Sequence, residues 1–236
     1  MPRHAIKDQG NVFLFIPNLI GYSRIVFAIT ALYYMPYHPR TCSLLYSISC
    51  LLDALDGAAA GYFNQSTRFG AVLDMITDRC TTTCLLVFLA SAFPRWSIIF
   101  QGLISLDYSS HYIHMYATLA TGSKQTLRIY YSNPNTLFTI CALNELFFIA
   151  LYLLSFSSDS SPSVEGWPSA WSAGAMETAR ANKICSSWPR LLFYASLPFM
   201  LFKQYVNVLQ LIQASKRLVQ ADINARRQSR AWRRRK

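Results

Sequence analysis

Apolar residues fall into six runs long enough to cross a bilayer as helices, separated by short polar or proline-containing stretches. Residues 12–16 (Val-Phe-Leu-Phe-Ile) precede Pro17-Asn18 and read as a short interfacial helix that brings the chain onto the membrane surface. The first span covers about Leu19–Tyr34, and Pro36, His38 and Pro39 make the turn that follows. The second covers Cys42–Phe63, and Asn64-Gln-Ser-Thr-Arg68 links it to a third over Phe69–Ala92. Pro94-Arg95 precedes a fourth span over Trp96–Leu119, residues 120–135 form a polar loop, and the fifth span covers Thr136–Phe156. Residues 157–189 are serine-rich with Pro162, Pro168, Gly166 and Gly174, and read as a loop insertion. The sixth span, Leu191–Ile212, is interrupted by Pro198, Lys203-Gln204 and Asn207. The expected fold is therefore all-α: a polytopic membrane protein of six transmembrane helices. Residues 1–11 form a cytosolic N-terminus, 12–215 the membrane domain, and 216–236 a basic cytosolic tail.

Composition agrees with membrane residence. Of 236 residues, 53% are hydrophobic and only 14% charged, with a mean hydropathy of +0.22. The net charge of +11 resembles a nucleic-acid signal until it is located. Arg226, Arg227, Arg230, Arg233, Arg234, Arg235 and Lys236 crowd the C-terminal end. Anionic lipid headgroups are a sufficient partner for such a tail, so no nucleic acid is expected. Six cysteines occur without a Cys-x-x-Cys pair, five of them in apolar segments, so neither disulfides nor a zinc site is expected. The N-terminal residues lack a small-residue cleavage site, and no removable signal peptide is read. An even number of spans puts both termini on one side. Arg3, Lys7, Arg68, Lys124, Arg128 and the tail assign that side to the cytosol.

Against this background the ionisable residues inside the spans stand out. Each costs about 2.5–3.5 kcal/mol to insert, so each points to a function. Asp53 and Asp56 are spaced i,i+3 on the second span, Asp74 and Asp78 i,i+4 on the third, so each pair shares a helix face. Folding the two spans into a hairpin opposes the pairs, and four converging oxygen donors suit hard divalent cations, Mg²⁺ or Mn²⁺. Metals held by shared carboxylates are a common device for displacement at phosphorus. Asp78, one turn beyond Asp74, is the candidate to take a proton from an incoming hydroxyl. Gly57-Ala-Ala-Ala-Gly61 leaves a bare helix flank for a ligand, forms a Gly-x-x-x-Gly packing motif, or does both. Arg24 either snorkels to the interface or turns inward to the carboxylates. Asp107, His111 and His114 share a face of the fourth span, as metal ligands or as a polar seam between helices. Glu145, inside the fifth span, needs a partner, for which Arg24 or a fourth-span histidine is available.

The segment Asp53-x2-Asp56-Gly57-x2-Ala60-Gly61-x8-Gly70-x3-Asp74-x3-Asp78 resembles the CDP-alcohol phosphatidyltransferase motif, D-x2-D-G-x2-A-R-x8-G-x3-D-x3-D, at eight of nine fixed positions with every gap retained. Ile16-Pro-Asn-Leu-Ile-Gly-Tyr-Ser-Arg24-Ile, Thr67-Arg-Phe-Gly-Ala-Val-Leu-Asp-Met-Ile-Thr-Asp-Arg79, Ser110-His-Tyr-Ile-His-Met-Tyr116 and Phe202-Lys-Gln are similar to the eukaryotic, inositol-using branch, fungal members above all. The resemblance implies a six-helix, homodimeric enzyme of the endoplasmic reticulum membrane. It would transfer a phosphatidyl group from CDP-diacylglycerol to myo-inositol, releasing CMP, with two Mn²⁺ or Mg²⁺ ions. By the same resemblance Asp53, Asp56, Asp74 and Asp78 hold metal and Asp78 is the base. Gly57, Thr67 and the position of Gly61 line the CDP-diacylglycerol site.

The chain departs from the pattern in three places. Gly61 stands where the family has Arg, a loss of a charge-assisted phosphate contact of about 1.5–3 kcal/mol. The loop at Thr121–Thr126 is short, and residues 157–189 are an insertion. Rival readings are the same chemistry on another alcohol such as glycerol phosphate or serine, or a CDP-lipid-binding membrane protein without catalysis. A cation transporter is a further rival, although carboxylates near helix ends rather than at the midplane fit it poorly. Asp107, His111, Asn144 and Lys203 are polar enough to hydrogen-bond a polyol, and no spacing singles one out.

Overall fold

The computed structural model describes residues 11–121, 134–157 and 184–233. Lys124, Arg128, the short 121–126 loop beyond Thr121, most of the 157–189 insertion and the ends carrying Arg3, Lys7, Arg234, Arg235 and Lys236 lie outside them. Among the described residues the elements are six long helices: α1 (Ile16–Tyr34), α2 (Pro39–Tyr62), α3 (Arg68–Ala92), α4 (Ser97–Thr121), α5 (Pro134–Ser155) and α6 (Ser187–Arg233). Short 3₁₀ turns lie at Val12–Leu14 and Pro94–Trp96. The all-α expectation holds. Where an N-terminal interfacial helix was expected, a single 3₁₀ turn stands, closed by Asn11 accepting from the Phe13 N–H, with Phe13 and Leu14 exposed.

Local chemistry explains where the helices start and stop. Proline occupies the first turn of α1 and of α2, where a missing N–H costs nothing. The end of α2 is a Schellman turn: Asn64 takes a left-handed φ of 52°, its N–H reaches Gly61 O, and the Gln65 N–H reaches Ala60 O. Thr67 then caps α3, its hydroxyl accepting from the Gly70 N–H at 2.9 Å. Gln65 also accepts from the Ile16 N–H, tying this link to the entry of α1.

Three helices, α1, α2 and residues 136–155 of α5, are long and apolar enough to cross a membrane. Up to four spans result if α3 and α4, bent by 119° at their junction, count as one. At 25 residues each, α3 and α4 reach about 37 Å, longer than a hydrocarbon core of about 30 Å. Their composition, not their length, separates them from the other three. Large apolar side chains face outward on most helices, among them Val26, Ile29, Leu44, Leu51, Ile98, Leu191 and Leu201, as a lipid-facing surface requires.

The packed core gathers Ala31, Met35, Cys42, Tyr46, Leu85, Leu89, Phe100, Phe148, Tyr152 and Leu153. These come from the C-terminal halves of α1 and α3, the N-terminal halves of α2 and α4, and α5. The Tyr152 hydroxyl donates to Met35 O at 2.6 Å, satisfying a helix-end carbonyl. The core therefore occupies the end of the bundle away from the aspartates. α1 packs closely on α2, α4 and α5 pack on α6, and α3 contacts α1, α4 and α5. α2 and α3 scarcely approach each other, so the expected direct hairpin is instead two helices held through α1.

In α6 the expected interruption is absent. One helix of 47 residues runs through Pro198, Lys203, Asn207 and on to Arg233. The Ser196 hydroxyl donates to Leu192 O beside the proline, and Lys203 and Asn207 are buried among polar neighbours, so nothing there forces a break. The basic stretch from Lys216 is the exposed continuation of that helix.

Candidate active site

The four aspartates converge on Arg24. From α1 its guanidinium reaches into the gap between α2 and α3 and divides its two terminal nitrogens between them. Nη1 bonds Asp56 Oδ2 at 2.7 Å and Asp74 Oδ1 at 2.5 Å; Nη2 bonds Asp53 Oδ1 at 2.8 Å and Asp78 Oδ1 at 2.5 Å. Each nitrogen thus ties one carboxylate of α2 to one of α3. Arg24 is 2% exposed, whereas the side chains of Asp53, Asp74 and Asp78 keep 33%, 43% and 32% of their surface and Asp56 keeps 12%. Of the two fates open to Arg24, the inward one is realised. The cation is sealed in and the acids face an opening.

Three small residues set this depth. A Cβ at Gly70 would lie 2.8 Å from Asn18 Oδ1, so only glycine lets the start of α1 approach the first turn of α3. Asn18 in turn donates to Val12 O at 2.7 Å. A Cβ at Gly21 would lie 3.3 Å from the Leu73 side chain, and Ser49 of α2 donates to the Arg24 carbonyl.

Ligand oxygens of Asp53, Asp56 and Asp74 lie within 4.8 Å of one another, close enough to share a cation. Asp78 stands beside this trio, joined through Arg24, with Arg79 at 3.6 Å from its second oxygen. Four carboxylates against the one guanidinium they share leave a large negative excess in a partly desolvated pocket. That excess, with an all-oxygen donor set, fits a hard divalent cation. A Cβ at Gly57 or Gly61 would meet nothing within 4 Å, so no described helix packs on them and the Gly-x-x-x-Gly packing role is not used among the described residues. Position 61 has open space for a long side chain.

Beyond Asp78 lies a second polar layer. Arg79 Nη1 clasps both oxygens of Asp107 at 2.7 and 2.8 Å, and Asn207 of α6 donates to the same carboxylate at 3.4 Å. His111 turns Nδ1 to the Asp107 carbonyl at 2.8 Å. Asp107 and His111 therefore belong to a polar seam between α3, α4 and α6; the described residues offer no ligand cluster there. Glu145 takes neither of its expected partners. Tyr46 donates to it at 2.8 Å, Thr82 at 3.1 Å and Asn144 at 3.3 Å, because α5 faces α2 and α3 at that level while Arg24 is already committed. Lys203 reaches Cys141 Sγ at 3.4 Å, and Gln204 reaches Asn144. Arg79, Tyr46 and Thr82 were not singled out from sequence. Arg79 had a usable signal, since a cation next to Asp78 in an apolar run needs an acid of its own.

The CDP-alcohol phosphatidyltransferase family matches residues 14–216. The chain is 45% identical to the CDP-diacylglycerol–inositol 3-phosphatidyltransferase of Schizosaccharomyces pombe, over 96% of this chain and 98% of that protein. It is 44% identical to the Homo sapiens protein of that name (90% and 94%) and 39% to that of Saccharomyces cerevisiae (92% and 90%). No solved structure matches. A family match spanning the whole acidic site, with full-length relatives at this identity, makes the chain a member of the CDP-alcohol phosphatidyltransferase family.

Proposed function

We propose that this protein transfers the phosphatidyl group of CDP-diacylglycerol to myo-inositol, giving phosphatidylinositol and CMP. The carrying observation is the meeting of Asp53, Asp56, Asp74 and Asp78 on one guanidinium beside an open helix flank. The names of the full-length relatives supply the acceptor.

In this reading an inositol hydroxyl oxygen bonds the phosphorus that carries diacylglycerol. The bond from that phosphorus to the bridging oxygen breaks, and the oxygen leaves with CMP. Asp78 takes the hydroxyl proton, being the acid nearest the seam of polyol-compatible groups. Asp53, Asp56, Asp74 and Asp78 would hold two Mn²⁺ or Mg²⁺ ions, whose chemistry is to neutralise the pyrophosphate and the leaving oxygen. The bare flank at Gly57 and Gly61, with Thr67 at the start of α3, receives the nucleotide and its phosphates. Six spans with both termini cytosolic, residence in the endoplasmic reticulum and a homodimer complete the proposal. The Val12–Leu14 turn, with Phe13 against Phe69, lies at the interface.

The test is release of CMP from CDP-diacylglycerol by purified protein, with inositol, glycerol phosphate or serine as acceptor, with and without metal. Release requiring both inositol and metal supports the reading; release with another acceptor reassigns the alcohol. A second reading, a CDP-lipid-binding homologue of impaired activity, is favoured by Gly61. CDP-diacylglycerol binding without turnover, even in Gly61→Arg, would select it.

A further inference from the structure

The acidic pocket holds a cation of its own. Arg24 is almost wholly buried, and its Nε, also buried, bonds nothing among the described residues. An unmet buried donor costs about 1–3 kcal/mol, so the side chain gives up that bond in order to place both terminal nitrogens on carboxylates. Its contacts use one oxygen of each aspartate, and each nitrogen joins acids from different helices. Those helices scarcely touch directly. Without Arg24, four like charges would face one another across the gap with no link between α2 and α3 at that level.

We propose that Arg24 is a positioning residue of the acidic site: a forked brace that fixes the carboxylates as two cross-helix pairs, Asp53 with Asp78 and Asp56 with Asp74. The proposal rests on the metal-dependent reading above and adds a residue outside its aspartate motif. Charge alone does not suffice for this task. A lysine carries the same charge, but its single ammonium lacks the planar fork that serves two pairs at once.

The experiment uses the full chain in detergent, stripped with chelator, and reads thermal unfolding and Mn²⁺ binding by the EPR signal of free Mn²⁺. Neither readout needs turnover, so failure of the CMP assay and failure of this proposal are distinguishable. Arg24→Gln and Arg24→Lys are both expected to lower the unfolding temperature of the stripped protein. Both should weaken Mn²⁺ binding by about 10–100-fold, the range for groups that orient metal ligands. Wild-type Mn²⁺ affinity in Arg24→Lys would overturn the proposal in favour of a bare charge effect. Tighter binding in Arg24→Gln would overturn it in favour of competition between Arg24 and the metal. Asp56→Asn gives a further check in stripped protein, lowering the unfolding temperature of wild type but raising that of the Arg24 variants by relieving repulsion. Equal shifts in both backgrounds would overturn the pairing. If Arg24→Gln cannot be recovered folded, Arg24→Lys with and without Asp56→Asn carries the same comparison.

Discussion

At Asp78 two demands meet on one carboxylate: one oxygen accepts from Arg24, and the other lies near Arg79. Asp78→Asn keeps the shape and removes the proposed proton acceptor. Its kcat is expected to fall by about 10²–10⁴-fold with the fold intact, measured by CMP release beside circular dichroism. Gly61→Arg tests the opposite change. The position opens to space, so the new side chain is accommodated, and an added phosphate contact should lower KM for CDP-diacylglycerol by about tenfold or more. The convergence of the four aspartates was legible because a carboxylate inside an apolar run is too costly to keep without a partner or a task. Arg24 was legible only as a choice between two fates, since spacing within one helix says nothing about which neighbours it will face.

Among the elements, the approach of α1 to α3 rests on Gly70. Gly70→Ala would drive a methyl against Asn18 Oδ1 and the capping hydroxyl of Thr67. It should cost about 1–3 kcal/mol, more than the ~1 kcal/mol expected when Thr67→Ala removes the cap alone. Thermal unfolding of the two variants side by side checks that order. Helix positions followed from apolar runs and proline. What sequence did not convey was pairing: a five-residue link between α2 and α3 suggested direct contact, yet the two scarcely touch and each packs on α1. The fate of Pro198 was also hidden: it stands exposed inside a continuous helix of 47 residues, at a point where sequence punctuation reads a break.

For the whole molecule, buried polarity and surface charge lie in different places. Tyr46, Thr82 and Asn144 all serve Glu145, deep between α2, α3 and α5. Tyr46→Phe removes one donor from a buried carboxyl, and a loss of about 1–3 kcal/mol in chemical unfolding is expected. Glu145 was readable as an acid in need of company, but its partners are neutral hydroxyls and an amide, which no charge pattern announces.

The separation of α2 from α3 bears on how a lipid enters. Most helical bundles must part to admit a bulky ligand, and the admission rate is then set by how often they part. Here the two walls bearing the acids scarcely touch and are joined by the Arg24 side chain. Under the proposed function, a two-tailed lipid would bring its headgroup to the acids along the open flank at Gly57 and Gly61 while its tails stay in the bilayer.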